Sequence, residues 1–226
     1  MRYNNITSGI FLSRPNRFIA NVLIDGEECV CHVKNTGRLG ELLKKGAAAY
    51  LEESANPLRK TKYDLVAVEK DGELFNIDSY APNLAAGEYL KSLYPDCRVR
   101  AEVKHGNSRF DFCIENENGK TFVEVKGVTL LKNGVALFPD APTERGVKHI
   151  TELTHCVSKG FGAKILFVVQ TENVHTFSPN DETHRVFGDA LRTAAEAGVE
   201  IIAVSCRVTP DSMVIYRKTD IDLRRT

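Results

Sequence analysis

Apolar and polar positions alternate in short runs up to about residue 80, and clusters of turn residues separate the runs. That period predicts strands. Runs at 18–24 and 28–33 flank Asp25-Gly26, and runs at 63–69 and 73–78 flank Asp71-Gly72, so two hairpins are expected. A further strand is expected at 47–53, preceded by a short helical piece at 41–45. About five short strands with a helical insert predict a small β-barrel of the OB kind, with an SH3-like barrel as the alternative from pattern alone.

Past residue 81 the pattern becomes α/β. Leu84, Tyr89, Leu90, Leu93 and Tyr94 predict a helix that stops at Pro95 and has Asn83 as its N-cap. Strands are expected at 97–104, 109–114 and 121–126, followed by a loop-rich stretch over 127–142. Thr143 reads as the N-cap of a helix reaching about residue 159, with Val147, Ile150, Thr154 and Val157 as its buried stripe. Continuous apolar runs at 164–170 and 199–206 predict strands covered on both faces. Between them a helix is expected over 182–197, ended by Gly198, and 213–217 supplies an edge strand. The expected fold is a β-barrel domain over 1–81, then an α/β domain over 82–226, a mixed sheet with flanking helices.

Composition narrows the partners. Hydrophobic residues make up 42% of the chain and charged residues 27%, enough apolar surface to build a core. Thirty basic and thirty acidic side chains give zero net charge, so a nucleic-acid partner must be held by a local patch. There is no basic leader with an apolar core and no bilayer-length apolar run, so a cytoplasmic protein without a membrane partner is expected. The six scattered cysteines suit buried free thiols in a reducing compartment. Cys29, Cys31 and His32 lack the spacer of a zinc knuckle and read as core packing.

The chemistry gathers in residues 108–126. Two strands joined over 115–120, where Asn118-Gly119 suits positive φ, place Asp111 on one strand and Glu124 and Lys126 on the next. Phe122, Glu124 and Lys126 share one face, with Val123 and Val125 on the other. Phosphodiester hydrolysis needs a polarised phosphorus, an activated water and help for the departing oxyanion. Two carboxylates can hold a Mg²⁺ or Mn²⁺ that supplies much of this. Asp111 and Glu124 are the expected ligands, with the Val125 carbonyl completing the set and Lys126 orienting the water or steadying the phosphate. Asp…Glu-x-Lys between flanking helices has the element order of the PD-(D/E)xK nuclease core, in which an additional acid often joins the site; Glu88 and Glu102 are candidates. Candidate nucleic-acid contacts on the first domain are Arg14 and Arg17 before the first strand, Arg38 in a glycine-containing loop, and Arg59 and Lys60 after Pro57.

More specific blocks surround this triad. Arg17-Phe-Ile-Ala-Asn-Val22, Asn35-Thr-Gly37, Asn56-Pro-Leu-Arg-Lys60, Val123-Glu-Val-Lys-Gly127 and Phe138-Pro-Asp-Ala-Pro-Thr-Glu-Arg-Gly146 resemble those of the sugar fermentation stimulation protein A (SfsA) family. The resemblance covers nearly the whole chain, with small departures at 40–43 and 83–87. It implies an OB-like domain, a PD-(D/E)xK-type domain and non-specific DNA binding, and it singles out Arg109, Glu144, Arg145 and His149 as residues that position the phosphate or strand. The leading expectation is a divalent-metal-dependent nuclease of low sequence specificity. The alternative is a non-cleaving DNA-binding regulator of sugar (maltose) metabolism, with RNA binding a weaker third reading. The oligomeric state is left open, a homodimer included.

Overall fold

The structure, a computed structural model, describes residues 1–106 and 108–225. Five strands form the first domain: β1 (Ile6–Asn16), β2 (Ile19–Ile24), β3 (Glu27–Val33), β4 (Ala48–Glu53) and β5 (Tyr63–Lys70). They run in the order β3-β2-β1-β4-β5, and a parallel β3–β5 pairing closes the barrel. This is the OB architecture. β6 (Glu73–Asn76) hairpins back onto β5 through Asp71 and Gly72, both at positive φ. The β2–β3 hairpin likewise turns on Asp25 and Gly26 at positive φ.

Two expectations for this domain are corrected. The first barrel strand is Ile6–Asn16, so Arg14 lies on a strand instead of ahead of one. Its pattern was hidden because only Phe11 is fully buried and its pairing with β2 shifts register twice. The expected helix at 41–45 is a set of turns that places Leu39 and Leu42 in the barrel core. Between Gly40 and Gly46 there is too little chain to nucleate a helix.

The second domain is built on a six-stranded mixed sheet. It comprises β7 (Arg98–His105), β8 (Ser108–Asn116), β9 (Gly119–Val128), β12 (Gly162–Val169), β14 (Glu200–Thr209) and β15 (Ser212–Lys218), in the order β15-β14-β12-β9-β8-β7. The central β9, β12 and β14 are parallel, and β12 is apolar from Ile165 to Val169, where both faces are covered. A small second sheet joins β10 (Leu131–Lys132), β11 (Val135–Phe138), β13 (Thr176–Pro179) and β16 (Asp220–Ile221), short strands not foreseen in the loop-rich stretch, after β12 and in the tail.

Helix α1 (Ala81–Leu93) covers one face, and α2 (Glu144–Ser158) with α3 (Asp181–Glu196) covers the other. Thr143 caps α2 as expected, its hydroxyl accepting from the Gly146 N–H at 3.0 Å. The buried stripe of α2 is Gly146, Ile150, Leu153 and Cys156, with Val147, Thr154 and Val157 only at its margins. α1 differs more. It begins three residues before the expected start, and Ala81, Pro82, Ala85, Ala86 and Leu90 face inward while Leu84 is 55% exposed. Small residues sit under the helix because it lies close to the sheet: a Cβ on Gly87 would stand 3.2 Å from the Phe112 ring. Asn83 is therefore inside the helix, not its cap.

The chain's first residues cross to the second domain. Met1 and Tyr3 belong to the α1-side core, and the terminal ammonium pairs with Glu88 at 2.7 Å. Between the domains, the buried Gln170 amide donates to the Asn76 carbonyl and side-chain oxygen, both at 3.0 Å, and to the Asp78 carbonyl at 3.2 Å. Among the described residues no helix is long and apolar enough to cross a membrane.

Candidate metal centre

The hairpin of β8 and β9 carries the site. Its turn is tighter than expected, with Asn116 paired to Gly119 and only Gly119 at positive φ. From there the ladder runs back to Phe112↔Val123, its last pair. Past it the strands part, and the alternation of β8 breaks at Asp111: Phe110 faces the α2/α3 core while Phe112 faces the α1 core. The Asp111 carboxylate fills the gap. Its Oδ2 accepts the Val125 N–H at 2.7 Å, and its Oδ1 accepts the Asn83 side-chain amide at 2.9 Å.

Glu124 and Lys126 share the face of Phe122, as their spacing requires, and so point toward α2. One Glu124 oxygen, Oε1, receives two donors: the Lys126 ammonium at 2.6 Å and the His149 Nδ1 in a close contact. The other oxygen, Oε2, is buried and has no hydrogen-bond partner among the described residues. His149 Nε2 lies 3.4 Å from Arg145 Nε, which matches an imidazole carrying its proton on Nδ1.

The two carboxylates feel each other. Burial and then the Glu124 charge push the Asp111 carboxyl above its ordinary range, against the pull of the Val125 N–H, Asn83 and Lys126. Burial acts on Glu124 in the same sense, but His149 and Lys126 outweigh it and hold the carboxyl below its usual range. The site therefore keeps an anionic Glu124 against a second, half-buried carboxylate. A hard cation coordinating both would relieve that repulsion and occupy Oε2.

The other expected residues divide. Glu88 does not join the site: it lies five positions from Asn83, roughly 140° round the helix, and pairs with the terminal ammonium. Glu102 is across from Asp111 in the β7–β8 register, but its backbone has a φ of 56° and its carboxylate turns to Arg109 at 2.5 Å. Arg109 is paired by the same contact.

Arg14 is engaged within the barrel, donating to the carbonyls of Arg17, Asn35, Gly37 and Arg38 at 2.6–2.9 Å. Arg59 grips Asp64 with both terminal nitrogens, at 2.9 and 2.6 Å. Arg17, Arg38 and Lys60 are exposed, as is Arg145. His149 sits inside the carboxylate cluster, closer to the chemistry than a strand contact would be. Asn83 was missed as a site residue because a polar residue near a helix start has the pattern of a cap.

Family models match both parts of the chain: an "SfsA N-terminal OB domain" over residues 12–77 and a "Sugar fermentation stimulation protein RE domain" over residues 80–212. The chain is 53% identical over 215 residues to a sugar fermentation stimulation protein homolog of Desulfitobacterium hafniense, covering 94% of each. It is 50% identical over 226 residues to one of Clostridium beijerinckii, covering 99% of this chain and all of that one. The solved structure of Pyrococcus furiosus SfsA in complex with Ca²⁺ superposes with a TM-score of 0.88 at 32% identity, covering 98% of both chains. The chain belongs to the sugar fermentation stimulation protein family.

Proposed function

We propose that this protein is a divalent-metal-dependent nuclease of the PD-(D/E)xK kind, hydrolysing phosphodiester bonds with little sequence specificity. The observation that carries the reading is the buried, unpartnered Oε2 of Glu124 beside the half-buried Asp111. An orphaned anionic oxygen in a protein interior costs free energy unless a cation or donor completes it. Two carboxylates suit Mg²⁺ or Mn²⁺, which keep several waters and take few protein ligands, and the Val125 carbonyl is the proposed third. Ca²⁺, the ion named for the Pyrococcus furiosus relative, has the same preference for oxygen.

Held by Asp111 and Glu124, Mg²⁺ would supply polarisation of the phosphate and a more acidic water. In the net reaction water adds to phosphorus, one P–O ester bond breaks, and the departing oxygen leaves with a proton. Lys126, held against Glu124, places a positive charge where the phosphate gains negative charge. His149 orients Glu124 from the opposite element, and Arg145 above it is placed to meet the strand.

The test is incubation of the purified protein with single- and double-stranded DNA and RNA in Mg²⁺, Mn²⁺ or EDTA, beside Glu124→Ala and Lys126→Ala. Metal-dependent cleavage that both substitutions abolish is expected. Cleavage surviving both would refute the site. Binding without cleavage of any substrate would favour a non-cleaving DNA-binding regulator of sugar metabolism.

A further inference from the structure

Arg17 and Arg38 come from different loops of the barrel, and the barrel is built to hold them together. Arg14 bonds the backbone of both loops at once, through the carbonyls of Arg17 and Arg38. Asn35 pins the second loop from its other side: its amide donates to the Ile77 carbonyl at 3.0 Å and its oxygen accepts the Gly37 N–H at 2.8 Å. Among the described residues neither Arg17 nor Arg38 forms an ion pair. Burial and then the neighbouring Arg17 charge depress the Arg14 guanidinium, so this arrangement concentrates positive charge without neutralising it. Two exposed arginines on adjoining loops beside a third make a local positive patch that attracts an anion.

These arginines open on a recess that runs along the domain boundary toward the end of β9. The recess at Arg17 and Arg38, about 530 Å³, is walled across the domain boundary by Ala141 and Pro142. Thr36, Gly37, Ala141 and Pro142 also line a second recess of about 320 Å³, which ends at Gly127, the residue after Lys126. The two form one crevice between the domains, leading from the barrel arginines to the end of β9. Each half has the volume of a small-molecule site, a size that suits a single nucleotide unit of an unpaired strand. Phe18, next to Arg17 in the chain and 55% exposed, offers a stacking face. Asp140, between the two ends, makes its stretch of the crevice unfavourable for phosphate.

We infer that the crevice takes one strand of nucleic acid, with backbone phosphates on Arg17 and Arg38, and feeds it to the Asp111–Glu124 centre. The preferred ligand is therefore single-stranded. This deepens the hydrolase reading and rests on it only for where the strand leads.

Fluorescence anisotropy in EDTA tests it on the full chain, with dT and rU oligonucleotides of about 4 and about 16 nucleotides, the span of OB-fold sites, and a duplex of the longer length. Wild type is expected to prefer the long single strand to the duplex; either DNA or RNA satisfies the proposal. Arg17→Glu with Arg38→Glu should weaken binding at least 10-fold, and lower the salt slope by about 1.4, two single-strand phosphate contacts. Asp140→Asn should tighten binding. If the double variant loses its thermal transition, the single variants Arg17→Gln and Arg38→Gln should each lower the slope by about 0.7.

Equal or tighter duplex binding, or an unchanged salt slope, would overturn the inference. The two readings separate cleanly in a parallel cleavage assay. Single-strand cleavage undiminished in the arginine double variant would sink the crevice and leave the hydrolase standing. A wild type that never cleaves, but whose single-strand binding needs both arginines, would uphold the crevice and sink the hydrolase.

Discussion

The Asn83 side-chain amide donates to Asp111 Oδ1 at 2.9 Å, tying the first turn of α1 to the carboxylate at the parting of β8 and β9. With the Val125 N–H on Oδ2, both Asp111 oxygens are held and the carboxylate plane is set before any cation arrives. Each oxygen keeps a second lone pair for a ligand. On the proposed metal reading, Asn83 is a positioning residue.

Asn83→Ala should weaken metal binding about 10-fold, the lower end for loss of an orienting partner. Mn²⁺ titration of the wild type and the variant measures it, with the thermal midpoint as a control. A loss of stability without any change in Mn²⁺ affinity would make the contact merely structural.

Gly127→Ala should damage the same contact from a distance. A Cβ at 127 would stand 2.7 Å from both the Pro82 ring and Gln170 Oε1, and a proline ring cannot swing aside. The start of α1 must lift, at a cost of about 1–3 kcal/mol, and carry Asn83 away from Asp111. The expected result is a lower unfolding midpoint in denaturant together with weaker Mn²⁺ binding.

Acid should act on the barrel through Asp64. Burial alone would raise its pKa, but hydrogen bonds from Arg59 and His32 and the charge of Lys34 hold it at about 2, below the ordinary 3.8. A depressed carboxylate stabilises the fold above the unfolded value, and that contribution disappears as pH falls from 3.8 toward 2. About 2 kcal/mol is involved. Denaturant unfolding at neutral pH and across this window should show the loss in wild type and not in Asp64→Asn. The variant should be weaker at pH 7, where it leaves Arg59 and Lys34 short of a partner.

Gln170→Leu should loosen the joint between the domains. It strips donors from the buried carbonyls of Asn76 and Asp78, a cost of about 1–3 kcal/mol for each acceptor left dry. Hydrogen exchange should quicken over residues 76–81 more than in the barrel core. Uniform exchange across the chain would show that the joint bears no special load.

Much of this architecture is legible in the sequence itself. Asp-Gly pairs at 25–26 and 71–72 specify two-residue turns, and the period of two puts Glu124 and Lys126 on the face opposite Val123 and Val125. Thr143 announces a helix start through a hydrogen bond spanning three residues. Where local rules were broken the reading slipped: the twice-shifted β1, the strained Glu102, and an α1 whose buried side is alanine and glycine, not leucine.

Those local signals act over a few residues, because turn chemistry, capping and side-chain period are properties of adjacent backbone. They established the barrel, the mixed sheet and the strand bearing Glu-x-Lys. Packing alone decided which groups meet. His149 reaches Glu124 across 25 residues and Asn83 reaches Asp111 across 28, while Glu88, on the same helix as Asn83, is turned away to the chain terminus. Such meetings depend on where whole helices settle on a sheet, and that is set by the summed shape of many buried side chains.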